Sequence, residues 1–398
     1  MGHCLRHVRP APLRLALRRD LYSDEHDSFR ESFRRFLAAE ALPRYADWES
    51  AGIVPREVFS KAAEHGFMGM AVPERYGGAG VEDFRFNSVL GEEAAMLGVS
   101  GFGLGLTLHN DICLPYLLAY ADEAQRERWL PAVCGGEALL AIAMTEPGTG
   151  SDLAAITTRA VRDGEHYILN GTKTFITNGI NADLVIVVAR TDPAERHRGI
   201  SLLLVESGME GFERGRNLEK IGQHAQDTAE LFFNDVRVPL TSLLGEENSG
   251  WGYLISNLAQ ERLSIAIAAL AAARGGLTLT IDYVKSRHAF GQAVSSFQNT
   301  RFQLAECQAE IEVAQAHLDR CVQALGAGEL SVADAAIAKW WCTEVQGRVL
   351  DRCVQLHGGY GYMAEYPIAR AWADARATRI YGGTNEIMRE IVARSLEL

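Results

Sequence analysis

Residues 184–205 read LVIVVARTDPAERHRGISLLLV, two runs of aliphatic residues on either side of a polar turn segment. Short runs of Val, Ile and Leu bounded by Gly, Pro and Asp are typical of buried β-strands. Residues 167–169 (YIL) lead into the hairpin turn sequence Asn170-Gly171, and residues 231–233 form a further apolar run. The pattern predicts a small antiparallel β unit over residues 141–245.

Helical patterns flank this unit on both sides. Over residues 20–140, apolar residues recur at spacings of three and four. The same period returns after residue 246, where one stripe is typical of an antiparallel helical bundle. That stripe comprises Leu304, Cys307, Ile311, Ala314, Leu318, Cys321 and Leu325. The sequence therefore predicts a mostly α fold with a central antiparallel β domain: a helical domain over 20–140, the β domain over 141–245 and a helical bundle over 246–398.

Composition excludes several classes of function. The 398 residues carry a net charge of −12, which disfavours non-specific binding of nucleic acid. The seven cysteines form no CxxC pair, and the histidines show no HxxxH pattern, so we expect a reducing compartment and no metal site. An uninterrupted apolar run of the roughly 20 residues that span a membrane is absent from the sequence, so we expect no stable membrane insertion.

The first nineteen residues differ from the rest, with five arginines and no acidic residue. This composition fits a mitochondrial-type presequence, or an upstream start that adds a disordered basic tail. Pro10 and Pro12 weaken the amphipathic helix of a presequence and favour the tail. We therefore expect a cytoplasmic protein of a bacterium, with the mitochondrial matrix as the alternative.

Two polar segments are candidates for a binding site. Residues 145–152 (TEPGTGSD) place two glycines in a Ser/Thr-rich turn, which suits a polar cofactor rim or a pyrophosphate as well as it suits a solvent loop. Residues 173–179 (KTFITNG) combine an aromatic residue and two threonines on an expected edge strand. Residues 359–364 match GxGxxA, but the residues before them do not read as a strand, so a dinucleotide-binding βαβ unit is not expected.

Five motifs in one order identify a family resemblance. They are TEPGTGSD (145–152), NGTKTFITNG (170–179), SRHAFGQ (286–292), QLHGGYGYMAEYP (355–367) and YGGTNEIMREIVAR (381–394). From about residue 20 to the C-terminus the chain resembles the acyl-CoA dehydrogenase family. It is most similar to the long-chain subgroup, through QERLSIA (260–266) and YGGTNEIM (381–388).

The resemblance implies a helical N-terminal domain, a middle β domain and a C-terminal four-helix bundle. It also implies a homotetramer, with FAD between the β domain and the bundle and partly against a neighbouring subunit. The residues matched to the flavin ring are Ile142, Met144, Thr145, Gly150, Ser151, Phe175 and Thr177, with Phe175 where the family usually has Trp. Those matched to the pyrophosphate and adenosine are Arg287, Phe290, Gln298, Gln355 and Gly359. Thr384, Asn385 and Glu386 match the C-terminal flavin-contacting segment. Ala289 stands where many members have Thr, which removes one hydrogen bond to the cofactor.

Removing an α-proton and a β-hydride from a thioester requires a carboxylate base, donors to the carbonyl oxygen and a hydride acceptor. The commonest family pattern has a Glu as base directly after the Tyr of the C-terminal segment, where this chain has Gly382. The long-chain and isovaleryl-type subgroups place the base before an Arg, which points to Glu261. Its apolar sequence neighbours predict a raised pKa. Gly382 would offer its backbone N–H to the carbonyl. The residues matched to substrate binding are Ser151, Tyr253, Gln260, Arg262, Tyr381 and Gly382.

The resemblance thus predicts FAD-dependent α,β-dehydrogenation of a medium- to long-chain or branched acyl-CoA to the trans-2-enoyl-CoA. Electrons would pass to an electron-transferring flavoprotein. Two alternatives stay open: an acyl-CoA oxidase or flavin monooxygenase on the same fold, and a non-catalytic homologue that binds FAD or acyl-CoA. An intact base favours dehydrogenation, so Glu261 argues against both.

Overall fold

The structure is a computed structural model that describes residues 19–398. Nearly all of the predicted basic tail, residues 1–18, lies outside the described residues. The N-terminal region is helical, and two π-helical segments, Leu37–Ala41 and Leu108–Cys113, interrupt it. Its α-helices are α1 (Asp24–Phe36), α2 (Tyr45–Ala51), α3 (Arg56–Glu64), α4 (Phe84–Met96), α5 (Ser100–Thr107), α6 (Leu114–Tyr120) and α7 (Glu123–Cys134).

A β-sheet follows. Its strands are β1 (Leu140–Ala143), β2 (Arg159–Asp163), β3 (His166–Thr177), β4 (Leu184–Arg190), β5 (Ile200–Glu206), β6 (Phe212–Asn217), β7 (Thr228–Pro239) and β8 (Leu243–Leu244). Strands β6, β7, β3, β2, β4, β5 and β8 lie side by side in that order, and β1 pairs with β4. Strands β4 and β5, which the opening sequence predicts, are buried along nearly their whole length. Apolar side chains cover both of their faces, which explains their continuous rather than alternating pattern.

The sheet departs from the prediction in two ways. It is mixed rather than purely antiparallel, because β1 pairs with β4 in parallel and β2 meets β4 in parallel at one residue pair. The predicted edge strand at residues 173–179 is only partly an edge. There β3 keeps β7 on one side, and on the other side the amide of Thr174 donates to the carbonyl of Thr145 (2.9 Å).

The C-terminal region is a helical bundle with a small two-stranded ribbon between its first two helices. The elements are α8 (Gly250–Ser286), β9 (His288–Ala289), β10 (Gln292–Ala293), α9 (Gln298–Gly326), α10 (Val332–His357), α11 (Pro367–Ala375) and α12 (Asn385–Ser395). The predicted stripe on α9 packs within the chain: Cys307, Ile311, Ala314, Leu318 and Cys321 are buried in one core with α8 and α10. The residues before the GxGxxA match belong to α10, which explains the lack of a βαβ unit. The predicted mostly α fold with a central β domain is confirmed.

Among residues 19–398, one helix, α8, is long and apolar enough by length and composition to cross a membrane. Within the fold, 67% of its most apolar stretch is buried. It packs against α4, α9, α10 and α11, and these contacts account for its composition.

A charged network joins α1 to α4 and α9. Glu92 of α4 pairs with Arg19 (2.8 Å) and Arg30 (2.9 Å) and is almost completely buried. Burial alone would raise the pKa of Glu92, but Arg19 and Arg30 outweigh it and hold the pKa at about 2. A carboxyl with a lowered pKa stabilises the fold above its unfolded pKa, and this contribution is lost as pH falls toward 2.

We predict that Glu92→Gln lowers the free energy of unfolding by about 2 kcal/mol, because it leaves two buried guanidinium groups with one acidic partner fewer. The loss stays below the roughly 3–5 kcal/mol of a fully orphaned ion, since Arg19 keeps Asp319 and Arg30 keeps Glu93. Denaturant titration at neutral pH measures it. Glu390→Gln is the matched control, because Glu390 forms an exposed pair with Arg394 at 2.8 Å. Equal effects of both variants would contradict the role of the network.

Candidate active site

Glu261 lies in the first third of α8 with its carboxyl buried. The hydroxyl of Tyr116 donates to its Oε1 at 2.9 Å, and the amide of Asn257 donates to the same oxygen at 3.0 Å. No side chain among residues 19–398 donates to Oε2 within hydrogen-bond distance. The carboxyl is therefore held through one oxygen while the other stays available.

Burial raises the pKa of Glu261 to about 7, although Tyr116, Asn257 and Arg262 all favour the carboxylate and limit the rise. The same burial keeps Tyr116 protonated by raising the pKa of its phenol well above the usual value. Glu261 thus loses its proton around neutral pH while Tyr116 stays a donor, which is the combination that a general base requires.

Gly382 lies against the same helix one turn beyond Glu261. Its φ is +64°, and a Cβ atom added there would lie 2.2 Å from Cδ1 of Ile265. A side chain at 382 would therefore be strained and would require Ile265 to move. The position where the commonest family pattern carries its base is filled by Ile265 in this chain.

Arg262 follows Glu261 and is 5% exposed, yet its Nε and Nη1 have no hydrogen-bond partner among residues 19–398. Unpaired guanidinium N–H groups in a buried position are costly, so a bound ligand or water is needed to satisfy them. Burial is the largest cause that lowers the pKa of Lys339, and the positive charge of Arg262 lowers it further. Arg262 is thus near enough to Lys339 to act on its charge, and Lys339 itself bonds the carbonyl of Gly383 at 2.8 Å in the turn that follows Tyr381.

The side chain of Asn385, which the resemblance assigns to contact with the cofactor, is bonded within the chain. Its side chain is buried, where Oδ1 accepts from Lys339 Nζ (3.0 Å) and Nδ2 donates to Thr343 Oγ1 (3.1 Å) and Glu344 Oε1 (2.9 Å). Lys339 also donates to the carbonyl of Gly383 at 2.8 Å. Asn385 therefore fixes the residue 381–384 turn to α10, while neighbouring Glu386 points outward and Thr384 caps α12.

A buried ion pair fixes the TEPGTGSD loop to the sheet. Lys173, which is fully buried, donates to Glu146 Oε1 and to the carbonyl of Met144, both at 2.9 Å. Glu146 also accepts from the backbone amides of Thr157 (2.6 Å) and Thr158 (2.9 Å). Burial would raise the pKa of Glu146, but Lys173 and these donors hold it at about 2. The pair places Met144 and Thr145 beside strand β3.

Strand β3 has a bulge at the segment matched to the flavin ring. The pairing register shifts between Lys173 and Ile176, and Phe175 within the bulge has a φ of +59° and is 68% exposed. A non-glycine residue with positive φ and an exposed aromatic ring indicates a built binding surface rather than a packing position. Ile142 of β1, which is also matched to the flavin ring, is partly exposed.

The glycines of the loop leave room for a ligand. An added Cβ at Gly148 or Gly150 would meet nothing within 4 Å, and Ser151 is exposed. Phe175 and the open loop expose an aromatic ring and an unfilled turn, and Arg262 separately keeps two buried nitrogens without a partner among residues 19–398. These features fit the FAD and thioester that the resemblance implies.

A cavity of about 560 Å³ lies at the C-terminal end of α10. It is lined by three of the residues matched to the pyrophosphate and adenosine, Arg287, Gln355 and Gly359, and by the stacked rings of Tyr283 and His357. The other two, Phe290 and Gln298, are exposed outside this lining, and Phe290 is 96% exposed. The subunit described here thus brings three of the five residues together.

Two residues matched to substrate binding contact neighbouring elements. The ring of Tyr253 stacks on Tyr120 at 3.8 Å between centroids, and its hydroxyl accepts from the amide of Glu246 at 3.1 Å. Gln260 donates to the carbonyl of Asp111 at 2.8 Å. Tyr381 is partly buried at the start of its turn.

Sequence reasoning missed Tyr116, Asn257, Lys173, Glu146 and Lys339. The sequence did contain an indication that Lys173 is buried. In a strand, alternate residues face the same side, and Lys173 lies at an even spacing from the inward-facing Tyr167 and Leu169. A buried lysine requires an acidic partner. The indication for Asn257 was weaker: it lies one helical turn before Glu261, where side chains of the same helix can meet. Tyr116 lies 145 residues from Glu261, and no local pattern connects them.

Comparison with known proteins agrees with this geometry. Three family models match: the acyl-CoA dehydrogenase N-terminal domain over residues 23–137, the middle domain over 141–236 and the C-terminal domain over 248–397. The chain is 50% identical over 380 residues to the mitochondrial long-chain specific acyl-CoA dehydrogenase of Sus scrofa, covering 95% of this chain and 88% of that protein.

Solved structures agree as well. The acyl-CoA dehydrogenase of Geobacillus kaustophilus superposes with a TM-score of 0.93 at 51% identity, over 96% of this chain and 100% of that one. A glutaryl-CoA dehydrogenase of Mycobacterium smegmatis, solved in complex with FADH2, has a TM-score of 0.88 at 28% identity, over 94% and 95% of the two chains. The chain belongs to the acyl-CoA dehydrogenase family and is an FAD-dependent oxidoreductase.

Proposed function

We propose that the protein oxidises the Cα–Cβ bond of a medium- to long-chain or branched acyl-CoA to the trans-2-enoyl-CoA, with Glu261 as the base. The observation that carries the proposal is the carboxyl of Glu261, buried and held through Oε1 only. The surroundings of Gly382 support it, because a side chain at that position would need a strained positive φ and a displaced Ile265. The similarity to a long-chain specific enzyme supports the substrate class.

When bound, FAD supplies the hydride acceptor for the β-hydrogen. Met144, Thr145, Phe175 and Thr177 would hold its ring, and Arg287, Gln355 and Gly359 its pyrophosphate and adenosine. Lys173 and Glu146 take part indirectly, since their ion pair keeps residues 144–146 beside β3.

The residues of this chain carry the proton transfer. The α C–H bond breaks, the proton moves to the free oxygen of Glu261, and the electron pair forms the new C=C bond as the β-hydrogen leaves. The backbone N–H of Gly382 would donate to the thioester oxygen, where negative charge develops. Arg262 offers buried N–H groups beside the same site and would orient the thioester or an ordered water.

Electron acceptor and quaternary structure complete the proposal. By the family resemblance, electrons pass to an electron-transferring flavoprotein. The active form is a homotetramer in which the cavity at the C-terminal end of α10 faces a neighbouring subunit. The favoured location stays the cytoplasm of a bacterium, with the mitochondrial matrix as the alternative that depends on residues 1–18.

We expect Glu261→Gln to slow anaerobic reduction of the flavin by palmitoyl-CoA by roughly two to four orders of magnitude, since the amide cannot accept the proton. In the unmodified enzyme the rate should rise with pH through an apparent pKa of about 7, because only the carboxylate is the base. Glu306→Gln, an exposed carboxylate with a single ion-pair contact at 3.8 Å, is the control. Near-normal reduction by Glu261→Gln would make the base assignment wrong.

Turnover in air separates the dehydrogenase from its alternatives. Bound product shields the reduced ring from solvent, so we expect slow peroxide formation with oxygen alone and fast turnover when an electron-transferring flavoprotein is added. Rapid stoichiometric peroxide production would favour an oxidase. FAD that does not bleach with any member of a panel of acyl-CoA thioesters would favour the non-catalytic homologue.

We expect the purified protein to be a homotetramer with about one FAD per chain. Arg287→Ala should weaken FAD binding by roughly ten- to a hundredfold, the usual loss for a charged hydrogen bond, as measured by flavin fluorescence during reconstitution. Arg320→Ala, an exposed arginine of α9, should leave the affinity unchanged. Unchanged FAD affinity of Arg287→Ala would contradict a cofactor site shared between subunits. A monomer that binds FAD with full affinity would contradict it as well.

A further inference from the structure

We propose that Tyr116 and Asn257 are positioning residues that fix the Glu261 carboxyl through Oε1 and leave Oε2 as the only oxygen free to take the α-proton. The inference rests on the proposed function of Glu261 and adds the groups that orient it. Both donors act on the base and not on the substrate.

The two donors come from different elements. Tyr116 belongs to α6 and Asn257 to α8, one turn before the base, and both reach Oε1 at 2.9 and 3.0 Å. A carboxyl held by one donor could rotate about its last torsion and exchange its two oxygens. Two convergent donors on one oxygen oppose this rotation and fix the direction of the other oxygen.

The π-helical segment Leu108–Cys113 keeps α6 and α8 in register. A π-helix leaves some backbone carbonyls without their usual hydrogen bond inside the helix. Here side chains of α8 donate to two carbonyls of the segment. Asn257 donates to the carbonyl of Ile112 at 3.2 Å, and Gln260 donates to that of Asp111 at 2.8 Å. Ser264 also donates to the carboxyl of Asp111 at 2.5 Å. These bonds bracket Glu261 on α8 from both sides.

The electrostatic surroundings make the two donors effective. The titratable or charged groups that face Glu261 are Tyr116 from α6, Cys113 from the π-helical segment and Arg262 from α8. Burial of Cys113 raises the pKa of its thiol, so this side chain stays neutral. Hydrogen bonds from Tyr116 and Asn257 favour the carboxylate and oppose the effect of burial on its pKa. Removal of either donor should raise the pKa of Glu261.

Tyr120 offers a matched control on the same helix. It lies one turn after Tyr116, and its hydroxyl is 2.7 Å from Ser256 Oγ rather than from a carboxyl. Each substitution removes one side-chain contact between α6 and α8, but only the hydroxyl of Tyr116 donates to a carboxyl. Only the positioning role connects the hydroxyl to the titration of Glu261.

The test compares Tyr116→Phe, Asn257→Ala and Tyr120→Phe as full-length, FAD-loaded enzymes. Anaerobic flavin reduction by palmitoyl-CoA is followed from pH 5 to 9. We expect Tyr116→Phe to raise the midpoint of the pH profile by roughly half to one pH unit and to lower the high-pH plateau by about three- to tenfold. Asn257→Ala should change both in the same direction, and Tyr120→Phe should change neither.

Infrared difference spectra of the resting proteins give a readout that does not depend on turnover. The protonated carboxyl band that Glu261→Gln removes should titrate at higher pH in Tyr116→Phe than in the unmodified protein. Unchanged midpoints in both Tyr116→Phe and Asn257→Ala would overturn the inference. If Tyr116→Phe does not fold, an unchanged midpoint in Asn257→Ala overturns it alone. Normal activity of Glu261→Gln would instead remove the proposed base, so the two failures are distinguishable.

Discussion

One helix has to satisfy two opposing requirements. The 37-residue helix α8 supplies the apolar core of the bundle, and it also carries a carboxyl and a guanidinium side by side in a buried position. Burying ionisable groups is costly unless neighbouring polar groups compensate for the lost water. Much of the polar structure around the site supplies this compensation. Asn257, Tyr116 and the π-helical segment serve the carboxyl, while the guanidinium keeps nitrogens free for a ligand.

The local part of the fold could be predicted from the sequence. The runs at 184–189 and 200–205 became β4 and β5, and the α9 stripe became a core face, because both signals are periodic over a few residues. The parallel pairing of β1 with β4 could not be predicted in this way. Its partners lie 44 residues apart, and the pattern of a buried strand does not encode the direction of its neighbour.

In the candidate site, too, local sequence patterns could be predicted and contacts between distant elements could not. Glu261 could be selected as a candidate from the sequence, because Glu261 and Arg262 are adjacent in a recognisable motif. The groups that determine its behaviour could not, because they come from other elements, as Tyr116 does across 145 residues. Asn385 shows the converse, since its place in a flavin-contacting motif suggested a ligand contact, whereas its side chain holds a turn to α10. A motif locates a segment, but the direction of each side chain depends on the packing of the whole domain.

The contact between Ile265 and Gly382 has a consequence for the ancestry of the site. A glutamate in the turn, as in the commonest family pattern, would stand at a residue with positive φ and would require Ile265 to withdraw. The side chain that position 382 can accept therefore depends on the side chain present at position 265. An ancestral exchange between glycine and glutamate in the turn would involve both positions, which makes this pair of residues epistatic.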